Sequence, residues 1–329
     1  MSTSPNLTQA RICVEKLTPN SHTELKQVLQ SATSTKHAQK LGAAFYTKKL
    51  WPMDSKIRIG FTETGNNVKV TKTYGKNIDP IQKQIESLPA QEAVKKVVRE
   101  RIIPLVDLDI DFVNSPDEAN IRISFDPNGG AWSLVGTDNL EEIESPTMNF
   151  GWLDAPTIMH EMGHMLGMIH EHQNPQGQSI EWDNEKVYEW AKQTQGWDKQ
   201  TTQQNIIDKY DISSINGSSF DPQSIMLYFF PAELTTNNVG TEQNVKLSGL
   251  DVDWIYHMYP KQNGTTPEQF YKNTYGESLQ SSINKSEEMA LEFKYGKTTP
   301  TIMTLPRLYY ILGLLGILLI FILLWYFSK

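Results

Sequence analysis

The stretch between positions 160 and 172 holds four of the seven histidines of this 329-residue chain, and it restricts the backbone more than any other. It reads His160-Glu161-Met162-Gly163-His164-Met165-Leu166-Gly167-Met168-Ile169-His170-Glu171. Residues four apart on an α-helix lie about one turn from each other on one face, so His160 and His164 can offer two imidazole nitrogens to one ion. Glu161 lies on the same turn, placed to reach a water on that ion without binding the ion itself. Gly167 allows the chain to leave the helix through a left-handed turn, and that turn brings His170 back as a third ligand. Three neutral imidazoles on a tetrahedral Zn2+ leave a fourth position for water, as in catalytic rather than closed structural zinc sites. The rival reading is a helix with surface histidines, and the offsets of Gly167 and His170 weigh against it.

A hydrophobic content of 39% is enough to bury a substantial core, in one large domain or two modest ones. The net charge of -8 and the lack of any basic block argue against a nucleic-acid partner. With Cys13 as the single cysteine no intramolecular disulfide can form, which fits a reducing compartment. A thiolate over the open metal position can hold a zinc enzyme latent, but nothing around Cys13 supports that role, and a lone cysteine is ordinarily a small apolar residue. The first residues contain no apolar core of signal-peptide length, so secretion by a cleaved leader is not expected. Residues 308–327 are uncharged and rich in Leu, Ile and Phe, bounded by Arg307 and Lys329, with Tyr309, Tyr310, Trp325 and Tyr326 near the ends. That length and those aromatics suit a single membrane span, a C-terminal tail anchor that leaves the rest of the chain in the cytosol.

Residues 56–61, 108–113 and 120–125 alternate in strand fashion. Between the first two, Asp79-Pro80 opens an amphipathic helix that Pro89 divides, which implies a mixed sheet with a helix against it. A glycine-rich turn then leads into a short strand of Ala131, Trp132, Ser133, Leu134 and Val135. Next to the histidine helix, its free backbone groups can receive an extended peptide. Asp154 and Pro156 have the signature of a helix start, and Met159, Met162, Met165 and Met168 read as core packing. Ser248 and Asp251 have capping-box spacing for a last helix that ends before Pro260. The expected organisation is a polar N-terminal extension (1–45), a catalytic domain (46–260), a polar linker or stalk (261–306) that can carry a helix around residues 286–293, and the membrane anchor (307–329).

The histidine stretch, followed some distance on by Ser224-Ile225-Met226-Leu227-Tyr228, resembles the metzincin clan of zinc peptidases and most closely its astacin-like branch. The resemblance covers about residues 50–260. It implies an α+β, two-lobed peptidase domain: a twisted mixed sheet with two long helices above the cleft and a looser C-terminal lobe below. It implies that His160, His164 and His170 bind zinc, that Glu161 is the general base, and that Met226 packs beneath the imidazoles. Tyr228 would ligate the metal and swing away to stabilise the oxyanion. Glu171 would be engaged by a processed amino terminus, and residues 131–135 would align the substrate. The chain departs from the branch in having Leu227 where histidine is usual, in lacking disulfides, and in lacking an aspartate-based latency motif. The expected function is a membrane-anchored zinc endopeptidase acting on a protein or peptide substrate, its oligomeric state open. The alternative is a silent membrane-anchored binding protein on a protease scaffold.

Overall fold

The computed structural model describes residues 13–16, 45–73, 77–141, 146–175, 180–210, 215–216 and 220–295. The apolar segment 308–327 lies outside them, and among the described residues no helix is long and apolar enough to cross a membrane. The chain divides into two units, Met1–Ala290 and Leu291–Lys329, the second described only at residues 291–295.

The elements run in the order β1 (Val14–Lys16), β2 (Phe45–Tyr46), β3 (Lys56–Phe61), α1 (Ile81–Ile85), α2 (Ala90–Val97), β4 (Asp109–Phe112) and β5 (Ile121–Ser124). They continue with β6 (Ala131–Leu134), β7 (Met148–Phe150), α3 (Ala155–Met165), α4 (Asn184–Gln195), α5 (Lys199–Thr202), β8 (Ile215–Asn216), α6 (Gly249–Met258), α7 (Pro267–Tyr275) and α8 (Leu279–Tyr295). Six strands form one mixed sheet in the order β1-β6-β7-β5-β3-β4, parallel at every pairing except β6 with β7. β2 and β8 form a separate antiparallel pair. All four residues of β5 are buried, as expected of a parallel strand covered on both faces.

The two parallel neighbours β3 and β4 require a long crossover, and α1 and α2 supply it. Proline has no N–H to continue a helix, so Pro89 ends one helix and starts the next. α2 runs on through a π turn, Val98–Ile102, and buries Val94, Val97, Val98 and Ile102 against the sheet residues Ile57, Ile59, Ile121 and Ile123. Met159, Met162 and Met165 of α3 enter the same core, which bears out their reading as packing.

Two buried aromatic residues finish α3. Helix C-termini leave carbonyls without intrahelical partners. Here Trp51 donates its indole N–H to the Met165 carbonyl (2.7 Å) and Tyr259 its hydroxyl to the Leu166 carbonyl (2.6 Å).

Residues 261–295 differ from the linker expected there: α8 contains the helix expected around residues 286–293, but α7 forms as well and Phe270, Tyr271 and Leu279 are buried in the main core. Their large side chains recur at helical spacing within a polar sequence, so the apolar face is narrow and easily overlooked. The Tyr275 hydroxyl donates to Asp79, which also holds Arg101 in a buried two-point ion pair (2.7 and 2.9 Å), so α7 is tied to the start of α1.

Candidate metal centre and cleft

The histidine helix begins where the sequence places it. The Asp154 carboxylate accepts the Thr157 N–H (2.9 Å), and proline occupies the first turn. It ends at Gly167, whose φ of +96° lies in the left-handed region that L side chains rarely adopt. That turn is held by the Gly167 N–H to the His164 carbonyl and the Met168 N–H to the Gly163 carbonyl, and it delivers His170 beside the first two histidines.

The Nε2 of His170 lies 3.3 Å from that of His160 and 3.1 Å from that of His164. Nitrogens about 2.0–2.1 Å from a tetrahedral zinc lie roughly 3.3–3.4 Å from each other, so this spacing fits the ion. The tautomers fit as well: Nδ1 of His160 donates to the Ile225 carbonyl (2.8 Å) and Nδ1 of His164 to the Met168 carbonyl (2.9 Å), leaving both Nε2 lone pairs facing inward. Burial pushes the His160 pKa down to about 4 and those of His164 and His170 well below the ordinary value, which favours the neutral, ligating form.

Glu161 is fully buried, and among the described residues no N–H or O–H reaches either carboxylate oxygen, the Cys13 thiol being beside them. A buried carboxylate in that state marks a place for a group from outside the protein, water or metal. Burial raises its pKa to about 8, with the Cys13 thiol beside it acting in the opposite direction. Tyr228, also buried, holds its hydroxyl 2.7 Å from Nε2 of His170. Met226 lies against the helix at Gly163, where a β-carbon would sit 2.6 Å from its sulfur; its backbone carbonyl accepts the Glu171 N–H (3.1 Å). Leu227 is buried. The Glu171 carboxylate accepts from the Asp221 N–H (2.9 Å) and from Asn174 (3.1 Å). Burial, with Asp221 close by, raises its pKa well above the carboxylate range.

Cys13 occupies a different place from the one its sequence context suggested. It is buried among Tyr228, Phe230, Trp190 and Ala131. Cys13, His160 and Glu161 can each place one ligand atom within 4.8 Å of the others. The Tyr228 hydroxyl donates to the Cys13 carbonyl. Immediately after Cys13, β1 pairs in parallel with β6: Val14 with Trp132, Glu15 with Ser133 and Lys16 with Leu134. Ala131, Trp132, Ser133 and Leu134 thus form a sheet margin beside the histidine helix, and the chain's own N-terminal segment occupies it. Val135 lies past the strand, buried with Tyr46, Ile169 and Tyr210. No local pattern announces Cys13, because a strand pairing across more than a hundred residues brings it in.

Residues 103–260 match the family model for Astacin, a peptidase family. Among solved structures, one described as the structure of myroilysin is 31% identical, with a TM-score of 0.55; the match covers 67% of this chain and 100% of that one. A crystal structure of myroilysin is 25% identical over 79% of this chain and 98% of that one, TM-score 0.48. High choriolytic enzyme 1, a hatching enzyme zinc-protease from Oryzias latipes, is 16% identical over 68% of this chain and 98% of its own, TM-score 0.38. No curated protein sequence matches.

Proposed function

This chain belongs to the astacin family and is a zinc metalloendopeptidase, and on that premise we propose that Glu161 is its general base, Tyr228 its oxyanion donor and residues 308–327 its membrane anchor. The observation that carries the catalytic part is the convergence of three buried imidazole Nε2 atoms beside a buried carboxylate that no N–H or O–H of the described residues reaches. His160, His164 and His170 would hold the zinc, which when bound supplies Lewis acidity that brings the pKa of water from about 15.7 to near 7. Ile225 and Met168 keep the rings of His160 and His164 aimed inward through their carbonyls. A Glu161 carboxylate oxygen takes the proton of the attacking water and returns it to the leaving amine. The Tyr228 hydroxyl, freed from the Cys13 carbonyl, donates to the oxygen that gains negative charge. Met226 closes the floor without donating to the ion.

The conformation described here is self-blocked: β1 covers the margin that an extended substrate would use, and Cys13 can place its sulfur within 4.8 Å of a ligand atom of His160 and of Glu161. In the working enzyme, residues 13–16 must leave the cleft. The test is casein and quenched-peptide cleavage by the zinc-loaded full chain before and after limited proteolysis of that segment, with Glu161→Gln alongside. Activity that appears on removal of the segment and is absent in Glu161→Gln supports the assignment. A chain that holds one zinc, has lost the segment and cleaves nothing across a broad peptide library refutes it, and favours the binding-protein alternative.

The anchor rests on the length, apolar composition and terminal aromatics of residues 308–327. The catalytic domain would stand on the cytosolic side. Alkaline carbonate should leave the full chain in the membrane pellet and release a chain ending at residue 306. Glycan on Asn263, an exposed sequon, would refute the cytosolic orientation.

A further inference from the structure

We propose that Asp251 is a positioning residue for the metal ligand His160, and that α8 supports it from beyond the part of the chain that matches the family.

Asp251 is completely buried in the first turn of α6. The capping box is part of its work: one oxygen accepts the Ser248 N–H (2.9 Å), and the Ser248 hydroxyl accepts the Asp251 N–H (2.9 Å). The same carboxylate also reaches out of the helix to the turn that underlies the histidines. It accepts the Ser224 hydroxyl (2.7 Å) and the Ile225 N–H (2.8 Å). Ser224 in turn accepts the Met226 N–H (3.1 Å), and the Ile225 carbonyl receives Nδ1–H of His160 (2.8 Å). Between Asp251 and the first metal ligand there is one residue, Ile225, held at its N–H and used at its carbonyl.

A ligand imidazole depends on the bond at its other nitrogen for tautomer and orientation, and such partners govern metal affinity. Here that partner is a loop carbonyl, and the loop has no helix or strand of its own to hold it. Its position is set by Asp251 on one side and by Asn244 on the other, whose amide donates to the Pro222 and Ser224 carbonyls.

The C-terminal helices reach the same point. The Ser282 hydroxyl accepts the Gly249 N–H (3.0 Å) and the Tyr271 hydroxyl (2.7 Å), fixing the start of α6. The fully buried Ser286 donates to the Gln223 side chain next to Ser224 (3.3 Å). The family match ends at residue 260, so this support belongs to the extension.

The inference rests on His160 being a zinc ligand, and the experiment separates the two claims. Full-length wild type, Asp251→Ala, Asp251→Asn, Ser286→Ala and His160→Ala are loaded with zinc and titrated with a chelator. The visible spectrum of the cobalt(II) forms and the melting temperature of each are recorded. Asp251→Ala should hold zinc about 10- to 100-fold less tightly, with a shifted cobalt spectrum. Asp251→Asn keeps an oxygen for the Ile225 N–H and should lose less, and Ser286→Ala should show a smaller loss in the same direction. Asp251 variants that melt earlier but keep wild-type zinc retention and cobalt spectrum overturn the positioning role. A Ser286→Ala chain identical to wild type in retention and spectrum overturns the part assigned to α8. Wild-type zinc retention in His160→Ala overturns the metal reading itself.

Discussion

Gly163 sits on the face of α3 that rests on Met226, and replacing it with alanine sets two effects against each other. In the helix interior, alanine is favoured over glycine by about 0.8–1.0 kcal/mol. The added β-carbon, however, would stand 2.6 Å from the Met226 sulfur and 3.3 Å from that of Met168. Carbon contacts are most favourable at about 3.5–4.0 Å, so the closer contact is short by roughly 1 Å. The sulfur is not the free end of its side chain, Met226 is completely buried, and its neighbours Ser224 and Ile225 are pinned by Asp251. Overpacking of this kind costs about 1–3 kcal/mol, so the balance is a net loss of up to roughly 2 kcal/mol. Moving Met226 also moves the Ile225 carbonyl, so zinc retention should fall along with stability. Chemical denaturation and chelator titration of wild type, Gly163→Ala, Met226→Ala and the double variant make the measurement. The double variant should recover part of the Gly163→Ala loss, giving a coupling energy of about 0.5–3 kcal/mol. A Gly163→Ala chain that gains about 1 kcal/mol and keeps its zinc would show that helix propensity decides the outcome and that the turn yields freely.

Further outcomes are open to measurement. Tyr228→Phe should retain zinc while kcat falls by about 10²–10³, the usual consequence of losing one oxyanion donor; an unchanged kcat in the segment-free enzyme refutes that role. Tyr259→Phe removes the hydroxyl that serves Leu166 and Trp51 and should cost about 1–3 kcal/mol on denaturation, whereas an unaltered midpoint would show that those groups find other partners. Burial, with Asp221 close by, raises the Asp251 pKa to about 7, while the unfolded side chain ionises near 3.9. The folded chain therefore holds a proton the unfolded chain has released, and this residue's contribution to stability declines as pH rises from about 4 to about 7. The melting-temperature difference between wild type and Asp251→Asn should accordingly change across that window, and parallel profiles would refute the assignment. Asp79→Ala takes the two-point carboxylate from the buried Arg101, leaving it the longer contact with Glu100 (3.8 Å), and should destabilise by about 3–5 kcal/mol, a loss that a change of less than 1 kcal/mol would contradict.

Much of the site could be read from local spacing. The offsets between His160, His164, Gly167 and His170 dictate a helix, a left-handed turn and a returning ligand, because helical pitch and the conformational freedom of glycine are properties of the chain itself. Asp154 before the helix and Ser248 with Asp251 before α6 were legible for the same reason, since a cap acts within three residues. Beyond residue 260 the helix around residues 286–293 was legible, but α7 and the packing of both helices were not, because their apolar residues are few and gain meaning only against a core built from distant strands.

Which side chains can bind a metal and exchange a proton follows from residue type and near spacing, and so is written in the chain itself. The packing of distant segments brings Cys13 beside His160 and Glu161, lays β1 along the strand from Ala131 to Leu134, and sets Asp251 to serve the turn under the histidines as well as its own helix. Each of these contacts joins residues far apart in the chain. Their pairing is settled by how the sheet and core close, and no local pattern records that.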